Sequence, residues 1–478
     1  MKKLFVLTLI VMLGLTGFVQ AANNAGVIQT GNLNEASITQ DPDGHTAGVI
    51  QLGNENDADV FQAGLGNTAL VLQNGTTNAA SVEQDADNSL AIGTQDGDSN
   101  ALDIKQIGED NFATVVQSGS FNIADVGQHG DEGEATVGQT GDGNEAHVDQ
   151  AGLGDSAAVA QDGTENFATV TQSGLGILSG PNAANISQIG FRNYANIWQR
   201  TIGVLSGLNT ASIFQLGDDN SAEVVQGGLG LLRGLNTAEV NQEGDGNDAY
   251  VSQNGVGNNA AITQELGGNI ADVIQEGLLN RASVFQYDRN DIVSILQDGT
   301  SNEAEVVQGD HNYASGLMTS EITQTGLANY AYVEQDRGTA YAWITQDGTQ
   351  NEAYQDQDQQ TGRNRTEATI MQEGRSNYAE QTQRSGGGLQ AYIYQTGSDN
   401  VAIQSQRNIS QRAGVFNIAT TSQDGSRNFG SIVQTGQIVT ATIFQTGDDN
   451  NGYVLQENGA STGSITQLGN GNAGSITQ

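Results

Sequence analysis

Glutamine recurs in this chain with a fixed phase: Gln29, Gln40, Gln51, Gln62 and every eleventh residue onward through Gln139, Gln150 and Gln172. A period of that size, held over so many copies, obliges one structural unit to stack on the next, and it constrains the fold more than any local feature does. The unit reads Asn-x-Ala-x-Val/Ile-x-Gln-x-Gly-x-x, as in Asn34-Glu35-Ala36-Ser37-Ile38-Thr39-Gln40. With a few longer intervals it runs to Gln478, giving 39 units.

An eleven-residue period also fits a right-handed helical coiled coil. Two features exclude that reading. Gly follows most of the glutamines by two residues and would interrupt a helix in nearly every unit. The residue two before Gln is Val or Ile in 34 of the 39 units, and β-branched residues favour strands. Asn, Ala, Val/Ile and Gln alternate with other residues, so in a strand they share one face. The residues between them, such as Glu35, Ser37 and Thr39, are mostly polar and face the other way. The expected fold is all-β: a β-solenoid of strand-turn-strand arches, with two parallel sheets facing each other. Each unit is expected to give a strand of about seven residues and a turn of about four, with unit n lying on unit n+2 about 4.8 Å away, in roughly 19–20 rungs.

Each repeated residue has a role in that arrangement. Val60, Val148, Ile213 and Val251 are expected in the core, with Glu35, Asp59 and Glu223 in solvent. Ala36, Ala146 and Ala249 are small enough to let the sheets approach. Gln29, Gln40, Gln51, Gln62, Gln139, Gln150, Gln242 and Gln253 are expected to form side-chain amide ladders, as are Asn34, Asn144 and Asn247. An interior amide is costly alone, but an in-register column satisfies itself.

Composition narrows the function. The chain has 64 Gly, 2 Pro, no Cys and a net charge of −39. Without cysteine there are neither disulfides nor Cys-based zinc sites. Nucleic acid is excluded as a partner, because phosphate binding needs clustered Lys and Arg. Lys2-Lys3, an apolar Leu4–Gly17 stretch and Val19-Gln20-Ala21 read as a signal peptide over residues 1–21, which leaves a repeat region over 22–478. That apolar stretch is too short for a confident membrane span, and no later segment is apolar enough for one. The mature chain is expected to be secreted.

The segments Gln139-Thr140-Gly141-Asp142-Gly143-Asn144-Glu145-Ala146-His147-Val148-Asp149-Gln150 and Gln242-Glu243-Gly244-Asp245-Gly246-Asn247-Asp248-Ala249-Tyr250-Val251-Ser252-Gln253 resemble the repeat of the curlin family, the subunits of bacterial curli fibres. The resemblance extends over residues 23–478. It implies a non-enzymatic structural subunit of an extracellular, amyloid-type fibre of biofilm matrix and adhesion, with a curli-type nucleator and an outer-membrane secretion pore as further partners. The first unit starts at Asn23 and the last is Ser475-Ile476-Thr477-Gln478. Neither has an atypical sequence, so Asn23 at one edge and Ile465, Ile476 and Gln478 at the other are expected to pair with further copies. The alternatives are a soluble β-solenoid adhesin, an ice-binding-like surface protein, or a fibre nucleator. The mixed outward residues argue against ice binding.

Several features break the pattern. Three similar five-residue insertions enlarge loops 173–181, 200–208 and 227–235, and they are expected on one edge as an apolar ridge. Irregularities near 309–317 and 358–363 are expected on the other edge. Over 351–423 the Val/Ile position becomes Gln355, Gln381, Gln404 and Thr421, which predicts the weakest rungs. Arg363, Arg365, Arg375, Arg384, Arg407 and Arg412 cluster there, as solvated charges or as partners for acidic surface on another copy. No cofactor is expected. His45, His129, His147 and His311 lack metal spacing, while acidic turns such as Asp218-Asp219 and Asp448-Asp449 leave calcium as an alternative.

Overall fold

The computed structural model describes residues 22–478 except 43, 176–177, 310–316, 360–364, 386–387, 409–415 and 458. Segment 1–21, where a signal peptide is expected, lies outside the described residues. The chain divides into two compact units, Met1–Asp219 with Gln226–Gly234 and Asn220–Val225 with Leu235–Gln478. Among the described residues there is no helix, and each unit is a β-solenoid with two parallel sheets.

In the first unit, strand Asn24–Asn32 pairs in parallel with Thr46–Asn54, and that strand with Thr68–Thr76. The opposite sheet begins Glu35–Asp41, Asp57–Leu65, Ala79–Asp87. Gln29 aligns with Gln51 and Gln40 with Gln62, so neighbouring strands are two repeats apart and one rung is two repeats. The second unit follows the same rule, with Asp248–Val256 on Ile270–Leu278 in one sheet and Asn259–Gln264 on Arg281–Gln286 in the other.

The strands are longer and the turns tighter than the sequence suggests. Many strands, such as Phe112–Ser120, run nine residues and carry the repeat's Gly inside the ladder, where Gly119 aligns with Gly141. The sharp bend comes two residues later, at a left-handed residue that is usually not glycine: Leu33, Glu55, Phe121 and Glu165 all have φ between 55° and 59°.

Burial alternates along the strands as the pleat requires. Val60 and Val148 are each 2% exposed, Ile213 1% and Val251 0%, while Ala146 and Ala249 are buried beside them. Each such Val or Ile contributes ~1.5–3 kcal/mol. Glu35 and Asp59 are exposed, and Glu223 is half-buried. Strands Thr46–Asn54 and Thr68–Thr76 break the alternation, because their outward Gly48, Ile50, Leu70 and Leu72 are buried as well.

The first two insertions stack in register, Leu178 on Leu205 and Ser179 on Ser206. A Cβ on Gly234 would overlap the Gly207 carbonyl, and one on Gly207 the Gly180 carbonyl, so the ends of all three share one edge. The side chains of the expected apolar ridge, and most of 309–317 and 358–363, lie outside the described residues.

The amide ladders as candidate functional site

Columns of side-chain amides line the cores. In the first unit Gln29 Nε2 donates to Gln51 Oε1 at 2.6 Å, Gln51 to Gln73 and Gln73 to Gln95 at 2.9 Å. In the opposite sheet Gln40 donates to Gln62 and Gln62 to Gln84, both at 2.8 Å. Gln139 and Gln150 donate to Gln161 and Gln172 at 2.9 Å. In the second unit Gln242 donates to Gln264 at 2.9 Å and Gln253 to Gln275 at 2.8 Å. The second Nε2 hydrogen crosses the core to a backbone carbonyl of the facing sheet, as from Gln73 to Asp57 at 2.7 Å. A buried glutamine such as Gln73 therefore binds both the next rung and the opposite sheet, which is why its amide is tolerated inside.

The asparagine columns run the other way. Asn56 Nδ2 donates back to Asn34 Oδ1 at 3.2 Å, and Asn166 Nδ2 back to Asn144 Oδ1 at 3.1 Å. The same amide caps a turn carbonyl, as from Asn144 to Gly163 at 2.9 Å. Asn247 accepts the Asn269 backbone N–H at 3.1 Å. Glutamine and asparagine dipoles thus oppose each other along the stack.

The family model of the curlin associated repeat matches residues 34–64, 53–85, 97–130, 108–141, 122–152, 141–174 and 236–265. These are stretches in which the ladder and its turns keep the eleven-residue phase. These stretches are repeats of the curlin-repeat family. That family is structural and non-enzymatic. No curated protein matches the chain.

Not every curlin repeat keeps its asparagine. In the first unit the column of Asn34, Asn56 and Asn78 is intact, but the facing one runs Asn23, His45, Asn67, Ser89, Asn111, Gly133, Asp155. His45 is fully buried there, and its Nδ1 accepts the Asn67 N–H at 3.3 Å. In the second unit Asn269 is followed by Asp291, and then by Met318, Ala340, Thr366 and Leu389, all buried. Counting what stands six residues before each Gln would have found this apolar edge. Asp291 accepts the Met318 N–H at 3.0 Å through one oxygen, and its Oδ2 has no partner. Burial, with the Asp288 charge nearby, pushes the Asp291 carboxyl up to about 8.

The polar residues at the Val/Ile position form a ladder of their own. Gln355 donates to Gln381 at 3.0 Å, Gln381 to Gln404 at 3.1 Å, and Gln404 to Thr421 Oγ1 at 3.0 Å. Gln355 Oε1 is left without a donor, because Val333 stands in the rung before it. Of the clustered arginines, Arg365 pairs with Glu367 at 2.7 Å and Arg384 with Asp356 at 2.9 Å within the chain. Arg363 and Arg412 lie outside the described residues. Among the described residues no group of three His, Asp or Glu side chains is arranged to hold a metal ion.

At the outer strands, Asn23 is exposed and its Nδ2 donates to Pro42 O at 2.6 Å. Ile465 is 7% exposed, Ile476 is half-buried, and Gln478 is exposed.

Proposed function

We propose that this chain is the structural subunit of an extracellular, amyloid-type fibre of the curli kind, serving biofilm matrix and adhesion, and that copies add end to end. The polarity of the glutamine ladder carries the reading. Ladder amides such as Gln29, Gln40 and Gln51 donate toward the higher-numbered rung, so among the described residues Gln29 has no ladder donor below it and offers Oε1 outward. At the other edge Gln478 Nε2 donates to Thr462 O at 3.3 Å and has a second N–H to give. An acceptor edge and a donor edge are complementary. Strand Asn24–Asn32 is exposed along its whole length, with Val27 46% and Ile28 53% exposed, so docking there also buries apolar surface.

Further partners are a curli-type nucleator and an outer-membrane pore, reached by export through the signal peptide. Purified mature chain is expected to form long unbranched fibres after a lag that preformed seeds abolish. The triple variant Val454→Asp, Ile465→Asp, Ile476→Asp is expected to stop addition at that edge while the rungs near Gln51 still fold. A chain that stays monomeric for days at high concentration in salt, seeded or not, contradicts the fibre and supports a soluble adhesin.

A further inference from the structure

Four tyrosines gather on the outward face of one sheet in the second unit. Tyr330 and Tyr332 lie on strand Tyr330–Arg337, Tyr354 on Glu352–Gln359 and Tyr378 on Tyr378–Ser385. Tyr354 is sandwiched diagonally between two of the others, with ring centroids 5.4 Å from Tyr330 and 5.6 Å from Tyr378, each pair tilted by 42°. Tyr332 is its register partner in the preceding rung. The phenols stand beside carboxylates: Tyr332 donates to Glu334 at 3.1 Å and Tyr378 to Glu380 at 3.0 Å. All four rings are half-buried and so partly open to solvent.

We propose that this cluster is an oxidative cross-linking site, at which Tyr354 couples to Tyr330 or Tyr378 to form an intramolecular dityrosine. The oxidant is hydrogen peroxide acting through a haem peroxidase. Each of two tyrosines gives up one electron and its phenolic proton, and Glu380 is placed to accept the proton of Tyr378. The two phenoxyl radicals join through a carbon–carbon bond between ortho positions, after which each ortho C–H proton moves to oxygen and both phenols are restored. The cross-link thus loses two hydrogens in all, and one hydrogen peroxide is reduced to two waters. Burial and the nearby carboxylates push the Tyr378 phenol up to about 12 and hold those of Tyr330 and Tyr354 above their ordinary value. Proton loss therefore accompanies electron loss rather than preceding it.

The position gives the link a purpose. Tyr354 adjoins Gln355, and Tyr378 lies on the strand of Gln381, where the core holds glutamine in place of Val or Ile. A dityrosine would bridge successive strands covalently where apolar burial is least. This inference stands whether or not the chain forms fibres.

The test treats the full mature chain, at high dilution, with limiting peroxide and a haem peroxidase. Dityrosine fluorescence is measured, and linked peptides are mapped by mass spectrometry. The expected product joins Tyr354 to Tyr330 or Tyr378 within one chain. Tyr354→Phe should reduce intramolecular dityrosine to background, because Tyr330 and Tyr378 both align with Glu352 from opposite sides and do not meet. Tyr250→Phe should leave the yield unchanged, and Glu380→Gln should slow the coupling several-fold without moving its site. Links spread over the twelve tyrosines, links chiefly between chains, or an undiminished yield in Tyr354→Phe would overturn the proposal.

Discussion

Gly119 and Phe121 sit two residues apart in one turn and answer opposite demands. Gly119 has φ 119°, and a Cβ there would lie 2.7 Å from the Gly141 carbonyl carbon and overlap its oxygen. Gly119→Ala is expected to destabilise the chain by at least ~1–3 kcal/mol, measured by denaturant unfolding. Phe121 adopts φ 59° and is 66% exposed, so it carries left-handed strain while burying little apolar surface. Phe121→Asn is expected to stabilise by roughly 0.5–1 kcal/mol, because Asn tolerates that conformation. Asp291 is the other costly choice of side chain, because its carboxyl is buried. Its folded pKa of about 8 lies above the ordinary carboxyl value of 3.8, so the penalty is absent below about pH 4 and grows as pH rises toward 8. Asp291→Asn is expected to raise the melting temperature at pH 8 and leave it nearly unchanged at pH 4. An amide there can donate to Asn269 as Asn78 does to Asn56 at 3.1 Å.

At the scale of the strand, the face of each element was legible and its polar exceptions were not. Alternation placed Val60 and Val251 inside and Asp59 outside, because a period of two admits only that assignment. The same reasoning treated Gln355, Gln381 and Gln404 as lost burial. What it lacked was register: residues 26 and 23 apart become hydrogen-bonded neighbours only once the longer loops are absorbed at the edge. The column predicts non-additive mutations. Gln381→Val orphans groups on both Gln355 and Gln404, at ~1–3 kcal/mol for each. Replacing Gln355, Gln381, Gln404 and Thr421 together with Val is expected to be neutral or stabilising, since no side-chain amide of the column is then left unpaired and only the second acceptor bonds of the Trp343, Thr369 and Tyr392 carbonyls are lost. Denaturant unfolding of the single and quadruple variants decides between this and a simple sum.

For the whole molecule, charge sets the conditions of assembly. Stacking places Asp103 on Asp125 and Glu35 near Asp57 in register, and such columns repel. Burial raises Asp103, Asp155 and Asp272, and it pushes Asp336 up to about 6 with help from Glu334, Asp358 and Asp356. In each case the folded chain binds the proton more tightly than the unfolded one, so stability is expected to rise on acidification from about pH 8 to pH 4, as read by thermal melts. Salt and divalent cations should speed fibre growth for the same reason. The repeat made the rung legible at this scale, whereas the direction of the amide ladders needed coordinates, because a sequence does not say which way an amide points. The claim that this direction drives assembly is tested most directly by electron cryomicroscopy of fibres grown from the mature chain in salt. The account predicts strand Asn24–Asn32 of one copy stacked in parallel on Ala473–Thr477 of the next, with the glutamine ladder running unbroken from Gln478 to Gln29. Fibres in which copies meet side by side, with both end strands in solvent, would contradict it.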